Sequence, residues 1–313
     1  MCKKKAKSVT RRKFIHDTSI AALGSTLLLG TGTLLSGNYS TSKRNIETES
    51  GNSGNSTVIL IRDKNVLDEN GTPRPQVVRE MLDIAIIKLT GRDDPVKGWE
   101  SIVRPDDVVG IKSNVWTYIN TTKEVEQALK SRIMDVGVEE RNISISDRGI
   151  YKDPFFKKAT ALINARPMRT HHWSGVGSLI KNYITFVPRP YTYHGDSCAD
   201  LGKLWKLPIV KNKTRLNVLV MFTPQFHNVG PHGFNPKYVW KYYGILAGFD
   251  PVAIDYMGLQ IIQSQRKIFF GEDRPLNPPA KHIVLADTRH NIGNADPKKI
   301  NLIKIGYKKN ILI

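Results

Sequence analysis

The sequence predicts an α/β fold: a mostly parallel sheet with helices on both faces and a loop-rich central insertion forming a cleft. Three observations carry this expectation. Unbroken apolar runs such as Thr57–Arg62 (TVILIR) and Leu216–Phe222 (LNVLVMF) read as strands buried on both faces. Segments with apolar residues at helical spacing alternate with them, as a sheet covered on both sides requires. From Arg166 to Trp205 that regularity gives way to glycine, histidine and aromatic residues, which read as loops and short helices.

Residues 1–37 read as a targeting peptide: a basic start precedes the apolar run IAALGSTLLLGTGTLL, too short for a comfortable membrane span. Thr10-Arg11-Arg12-Lys13-Phe14-Ile15 resembles the twin-arginine signal, with Arg11 and Arg12 as its pair. This implies passage through the twin-arginine translocase, which exports folded proteins, and a periplasmic location or one on the outer face of the cytoplasmic membrane. Residues 38–56 are rich in Ser, Asn and Gly and read as a flexible linker. Residues 57–313 read as one α/β domain.

Within that domain Thr57–Arg62 is the first expected strand. A helix over Gln76–Leu89 is expected from Val77, Met81, Ile84 and Leu89. Asp107–Ser113 reads as a strand, Thr121–Val136 as a helix and Asn142–Ser146 as a strand. A helix is expected over Pro154–Ile163, then the irregular centre, then the strand Leu216–Phe222. A short apolar stretch precedes a helix over Val252–Gln263, and Ile283–Ala286 and Ile300–Ile305 read as closing strands.

Composition narrows the function. With 40% hydrophobic and 24% charged residues the chain is ordinary globular protein. Its formal charge is +19, of which six belong to residues 1–57, where nine Lys/Arg face Asp17, Glu47 and Glu49. The remaining excess favours anionic partners, but the basic residues are scattered and form no nucleic-acid module, so a nucleic-acid partner is not expected. Two cysteines, Cys2 and Cys198, are too few to hold an intrinsic iron–sulfur cluster. There is no G-x-S-x-G elbow and no completed phosphate loop.

The stretch His227–Asp255 places histidines and a Gly-Pro turn just after one strand and just before a helix, where α/β proteins locate their chemistry. Asp250-Pro251 is a strong helix start, so Asp250 is explained as a cap. Asp255 lies five residues on, within an apolar helix, and is a candidate general base or metal ligand. Lys112 ends a strand, so its ammonium would emerge at the carboxyl edge of the sheet, a position suited to a carboxylate or phosphate. Lys181 with Asn182 could act alike. Histidines 171, 172, 194, 227 and 232 fall in expected loops, and neutral imidazole ligates transition metals.

These residues together resemble the domain of unknown function 362 family. Its V-x-I-K-P-N segment is similar to Val109–Asn114, with Ser113 in place of the proline, and this brings in Asn114 as a ligand-binding candidate beside Lys112. The helix that follows resembles Thr122–Leu129, and the strand ending in Gly-Asp resembles Ile143–Gly149. Further likenesses run through Arg169-Thr170-His171, Gly175-Val176-Gly177, Lys181-Asn182, His194 and Cys198–Leu201. The D-P-V-A-x-D motif is matched in full by Asp250–Asp255, and Gly293–Pro297 resembles the closing segment. The likeness covers nearly all of residues 57–306. Two departures stand out: the strand Leu216–Phe222 continues into MFTPQ where relatives place Asp-Gly, and no cysteine-rich segment is present.

The family implies a fold rather than a reaction. Its motifs single out His171 and His232 as metal-ligand candidates and His194, with Asp255, as catalytic candidates. The expected function is a periplasmic enzyme acting on a small anionic molecule bound by Lys112, Asn114, Lys181 and Asn182, with metal-assisted and redox chemistry both open; no cofactor is assigned, and a transition metal is one candidate. The alternative is a non-catalytic ligand-binding or accessory protein tethered outside the cytoplasmic membrane.

Overall fold

A computed structural model describes residues 54–228 and 230–313, apart from the side chains of Pro231 and His232. The expected signal peptide with Arg11 and Arg12, and the linker up to residue 53, lie outside the described residues. No helix among the described residues is long and apolar enough to cross a membrane.

The strands are β1 (Ser56–Arg62), β2 (Val109–Lys112), β3 (Ile143–Ser146), β4 (Ala161–His171), β5 (Gly175–Gly177), β6 (Thr214–Gln225), β7 (Gly244–Gly248) and β8 (Ile300–Gly306). They form one eight-stranded sheet in the order β3-β2-β4-β6-β7-β1-β8, with β5 paired to β4. Strands β3, β2, β4 and β6 are mutually parallel, and so are β1 and β8; β7 opposes both β6 and β1, and β5 opposes β4. The sheet is therefore mostly parallel, as expected.

Alternation along the strands divides the core in two. Val58 and Leu60 of β1, Leu162 of β4, Leu219 of β6 and Leu246 of β7 join one apolar cluster. Their neighbours Ile59, Ile61, Ile163, Val218 and Ile245 join the other. Such alternation places helices on both faces. The second cluster is covered by α1 (Pro75–Thr90), α2 (Pro95–Glu100) and α3 (Lys123–Asp135). In α1 the buried residues Val78, Met81, Leu82, Ala85 and Ile86 form one stripe, Pro75 opens the helix, and left-handed Gly91 closes it. The first cluster is covered by α4 (Pro154–Lys158), α5 (Leu179–Asn182), α6 (Pro251–Phe270) and α7 (Lys281–Thr288).

Asp250 caps α6, as its position before Pro251 predicts. Its carboxylate accepts from Val252 N at 2.8 Å and Ala253 N at 3.1 Å. It also accepts from Asn294 N and Ser56 Oγ, tying the start of β1 to the turn before β8.

Three expectations are corrected. The helix expected over Pro154–Ile163 stops at Lys158, and Ala161 opens β4, paired with Val109 on one side and continuing beside β6 on the other. β4 extends to His171, so Arg166–His171 is strand rather than loop; its Asn164, Arg166, Pro167 and Arg169 disguise a segment that is buried throughout. The expected strand Ile283–Ala286 lies within helix α7, where Ile283 and Ala286 are buried one turn apart and Val284 is 47% exposed. Four apolar letters fit either period, and packing against α6 decides for the helix. The short apolar stretch before Asp250 is strand β7. Beyond His171 the irregular centre consists of β5, α5 and short helical turns.

Candidate functional site

The carboxyl ends of β2, β3 and β4 converge on a buried polar cluster. Lys112 is the last residue of β2 and is fully buried. Its ammonium donates to Ser113 O at 2.6 Å, to Asn182 Oδ1 at 3.2 Å and to Asp147 Oδ1. An ammonium has three donors, so all are committed within the protein. Burial lowers the Lys112 pKa to about 8, against the pull of Asp147. Burial pushes Asp147 the other way, but the Lys112 charge and hydrogen bond, with Val115 N, hold it below its ordinary value.

Asn182, on α5, is the junction of this network. Its amide nitrogen donates to Asn164 Oδ1 at 2.8 Å and to Lys112 O at 3.2 Å. Asn164 donates on to Asn217 of β6 at 3.1 Å, and Asn217 to Phe249 O at 3.0 Å. A line of amides thus crosses β2, β4 and β6 and fixes where α5 sits. Asn114 is also buried; its backbone is closed on Thr121 through Asn114 N to Thr121 Oγ1 and Thr121 N to Asn114 O, while its side-chain oxygen has no partner.

Asp255 takes part through α5. Fully buried on α6, it accepts from Ser178 Oγ at 2.6 Å, Leu179 N at 2.9 Å and Ile180 N at 2.9 Å. These are the first donors of α5, so Asp255 caps that short helix from a distant part of the chain. Burial raises its pKa to about 6 despite these bonds.

Beside this satisfied network lies an unsatisfied one, which the sequence reading missed. Arg166 and Arg169 of β4 are 3% and 0% exposed. Among the described residues the Nε of Arg166 has no partner, and Arg169 donates Nη1 to Ile119 O at 3.0 Å while its Nε and Nη2 have none. A register shift in the β4–β6 pairing between Pro167 and Arg169 changes the direction of the strand between them. Gly177 of β5 makes room for Arg166, since a Cβ there would stand 2.7 Å from Nη2. Burial drives both guanidiniums down, Arg166 to about 10 and Arg169 well below its ordinary value. The signal for them was two arginines three apart between apolar letters in ALINARPMRT, which an expected loop obscured.

Lys181, also on α5, is 3% exposed. Among the described residues its ammonium has one hydrogen-bond partner, Cys198 Sγ at 3.5 Å. Burial first, then Arg166 and Arg169, push its pKa down to about 8 against the opposing pull of Cys198. Cys198 follows Asp196 and Ser197 in three successive left-handed residues, with φ of 49°, 55° and 63°. Burial keeps its thiol pKa high.

Of the histidines, His171 ends β4 and accepts from Trp173 N at 3.2 Å. Burial and the nearby Lys181 and Arg166 drive its pKa down, so it is neutral. It stacks on His172, and Trp173 stacks on His194 with ring centroids 3.8 Å apart. Burial lowers His194 to about 4. His232 belongs to the turn Gly230–Gly233, and its side chain lies outside the described residues. His227 is placed elsewhere, against Arg266. His282 on α7, which no sequence signal marked, is fully buried, has no partner at either nitrogen among the described residues and is lowered to about 3 by burial, with Lys181 and Arg166 adding. Among the described residues no group of three or more His, Cys, Asp or Glu is arranged to hold a metal ion.

The structure therefore brings Lys112, Asn114, Lys181, Asn182, Asp255 and His171 to one edge of the sheet, with His194 beyond Trp173. Residues 71–260 match the family described as Domain of unknown function (DUF362), a narrower span than the motif likenesses covered. No curated protein and no solved structure matches the chain.

Proposed function

As the chain belongs to the domain of unknown function 362 family, whose name assigns no reaction, we propose from its residues that it is an enzyme acting on a small organic anion, held at the carboxyl edge of the sheet by Arg166 and Arg169. One observation carries this reading. Lys112, Arg166, Arg169 and Lys181 are buried together, against Asp147 and Asp255, and the Arg169 guanidinium keeps two donors without partners among the described residues. A buried cation without acceptors is costly, and a carboxylate or phosphate relieves that cost by paired, charge-assisted hydrogen bonds.

Lys112, expected to bind the ligand, and Asp255, expected to act in catalysis, hold the framework in this reading. Donors pointing to no protein acceptor favour an anion over a metal-assisted site. An enzyme rather than a non-catalytic ligand-binding or accessory protein is favoured by Lys181, an amine beside the anion whose pKa burial lowers to about 8. The twin-arginine resemblance at Arg11-Arg12 supports action outside the cytoplasmic membrane, after export in folded form.

The test is thermal unfolding with inorganic phosphate or pyruvate at constant ionic strength, in the wild type and in Arg169→Met. A ligand at about 100 times its Kd adds about 2.7 kcal/mol of stability. Methionine in place of an unmatched buried cation is expected to leave the free protein as stable or more so. The expected result is a rise in Tm with anion for the wild type and none for the variant. Equal responses in both proteins would end the proposal.

A further inference from the structure

The two buried lysines are not equivalent, and the difference points to covalent chemistry at one of them. All three donors of Lys112 are held by oxygen acceptors, one a carboxylate. Lys181 is as well enclosed but, among the described residues, donates to neither carboxylate nor carbonyl; its partner is the thiol of Cys198. Cys198 does favour the ammonium, but a thiol whose own proton is retained by burial holds it less firmly than the carboxylate that faces Lys112. Arg166 and Arg169 stand close enough to repel its charge. Desolvation beside other cations is how a lysine is made a nucleophile. Cys198, whose sulfur lies beside the amine, ends a run of three left-handed residues, a conformation that non-glycine residues rarely adopt.

From this geometry we infer that Lys181 forms an imine with the carbonyl carbon of a small 2-oxo acid whose carboxylate rests on Arg166 and Arg169. This rests on the anion-binding reading above and adds the substrate class. The neutral amine forms a C–N bond to the carbonyl carbon. The carbonyl oxygen then leaves as water, taking both protons of the amine nitrogen, and no oxidant or reductant is consumed. Lys112 is excluded from this role, since its ammonium would have to leave Asp147 as a buried charge without a partner.

The experiment is reductive trapping. Full-length protein is incubated with pyruvate and sodium borohydride, digested, and each lysine peptide is read by mass spectrometry. Thermal unfolding with pyruvate is measured in parallel. The expected result is one reduced pyruvate on Lys181, in excess over any surface lysine, and no trapping at that position in Lys181→Arg, whose folding is checked by its own melting curve. A wild type that is stabilised by pyruvate but carries no label at Lys181 would overturn the imine while leaving the anion site standing. Absence of both label and stabilisation, by pyruvate and by phosphate, would overturn both.

Discussion

Replacing Asp255 by alanine removes the acceptor of three buried donors, and the consequences can be worked out. Ser178 Oγ, Leu179 N and Ile180 N all depend on that carboxylate. Stranding each costs about 2 kcal/mol. The carboxylate is itself penalised by burial, its pKa standing at about 6 against an ordinary 3.8, and deleting it returns about 3 kcal/mol near neutral pH. The net loss expected at about pH 7 is therefore about 3 kcal/mol. The sign of the pH effect follows from the direction of the shift. Because the folded pKa is raised, the folded chain holds a proton that the unfolded chain has released between 3.8 and about 6. Wild-type stability from this group thus increases as pH falls through about 6 and is fully present below 3.8. From about pH 7 to about pH 5 that gain is about 1 kcal/mol, and Asp255→Ala lacks it. Urea unfolding followed by tryptophan fluorescence should show the gap between the two proteins widening by that amount at the lower pH. A gap that is absent at both pH values, or that narrows at the lower one, would refute the assignment of Asp255 as the cap of α5.

Lys112→Met leaves Asp147 as a buried charge without its ammonium and is expected to cost about 3–5 kcal/mol in urea unfolding; adding Asp147→Leu should restore most of it, and strict additivity would sink the pairing. Asp250→Ala should cost about 1–2 kcal/mol through the cap of α6. The same carboxylate stands 1.9 Å from where a Cβ on Gly293 would fall, so Gly293→Ala should be severe in the wild type and mild in Asp250→Ala, read as non-additive unfolding free energies. Affinity for sulfate, which does not titrate in this range, should weaken as pH rises through about 8, where Lys181 and Lys112 release their protons. Calorimetric titration showing constant affinity there would remove the lysines from the anion's field.

Much of the sheet was legible because strands buried on both faces spell themselves as apolar runs. TVILIR and LNVLVMF needed only that rule. β4 escaped it for the reason that makes it interesting: Asn164, Arg166 and Arg169 occupy positions that an ordinary central strand gives to Val or Ile. The residues that defeat the pattern are those of the site, as expected where function overrides local rules. Lys112, Lys181 and Asn182 could be gathered from motif likeness and from the end of a strand. The cap that Asp255 provides could not, since α5 is distant in sequence and only the tertiary fold brings its first donors to α6. His282 was hidden by the misread of α7, where an apolar tetrad left the period open.

β1 lies between β7 and β8, and both neighbours come from far along the chain: Val58 faces Gly248 on one side and Leu302 on the other. The run TVILIR, the first strand among the described residues, has no partner on one edge until residues 244–248 exist and none on the other until residues beyond 300 exist. Contacts of such separation make folding slow, and an unpaired apolar strand is a template for aggregation meanwhile. Docking of the first strand is then a late event in assembly. A chain shortened before Ile300 would lose no mere trimming from the rim; it would leave the buried apolar strand β1 with a bare edge.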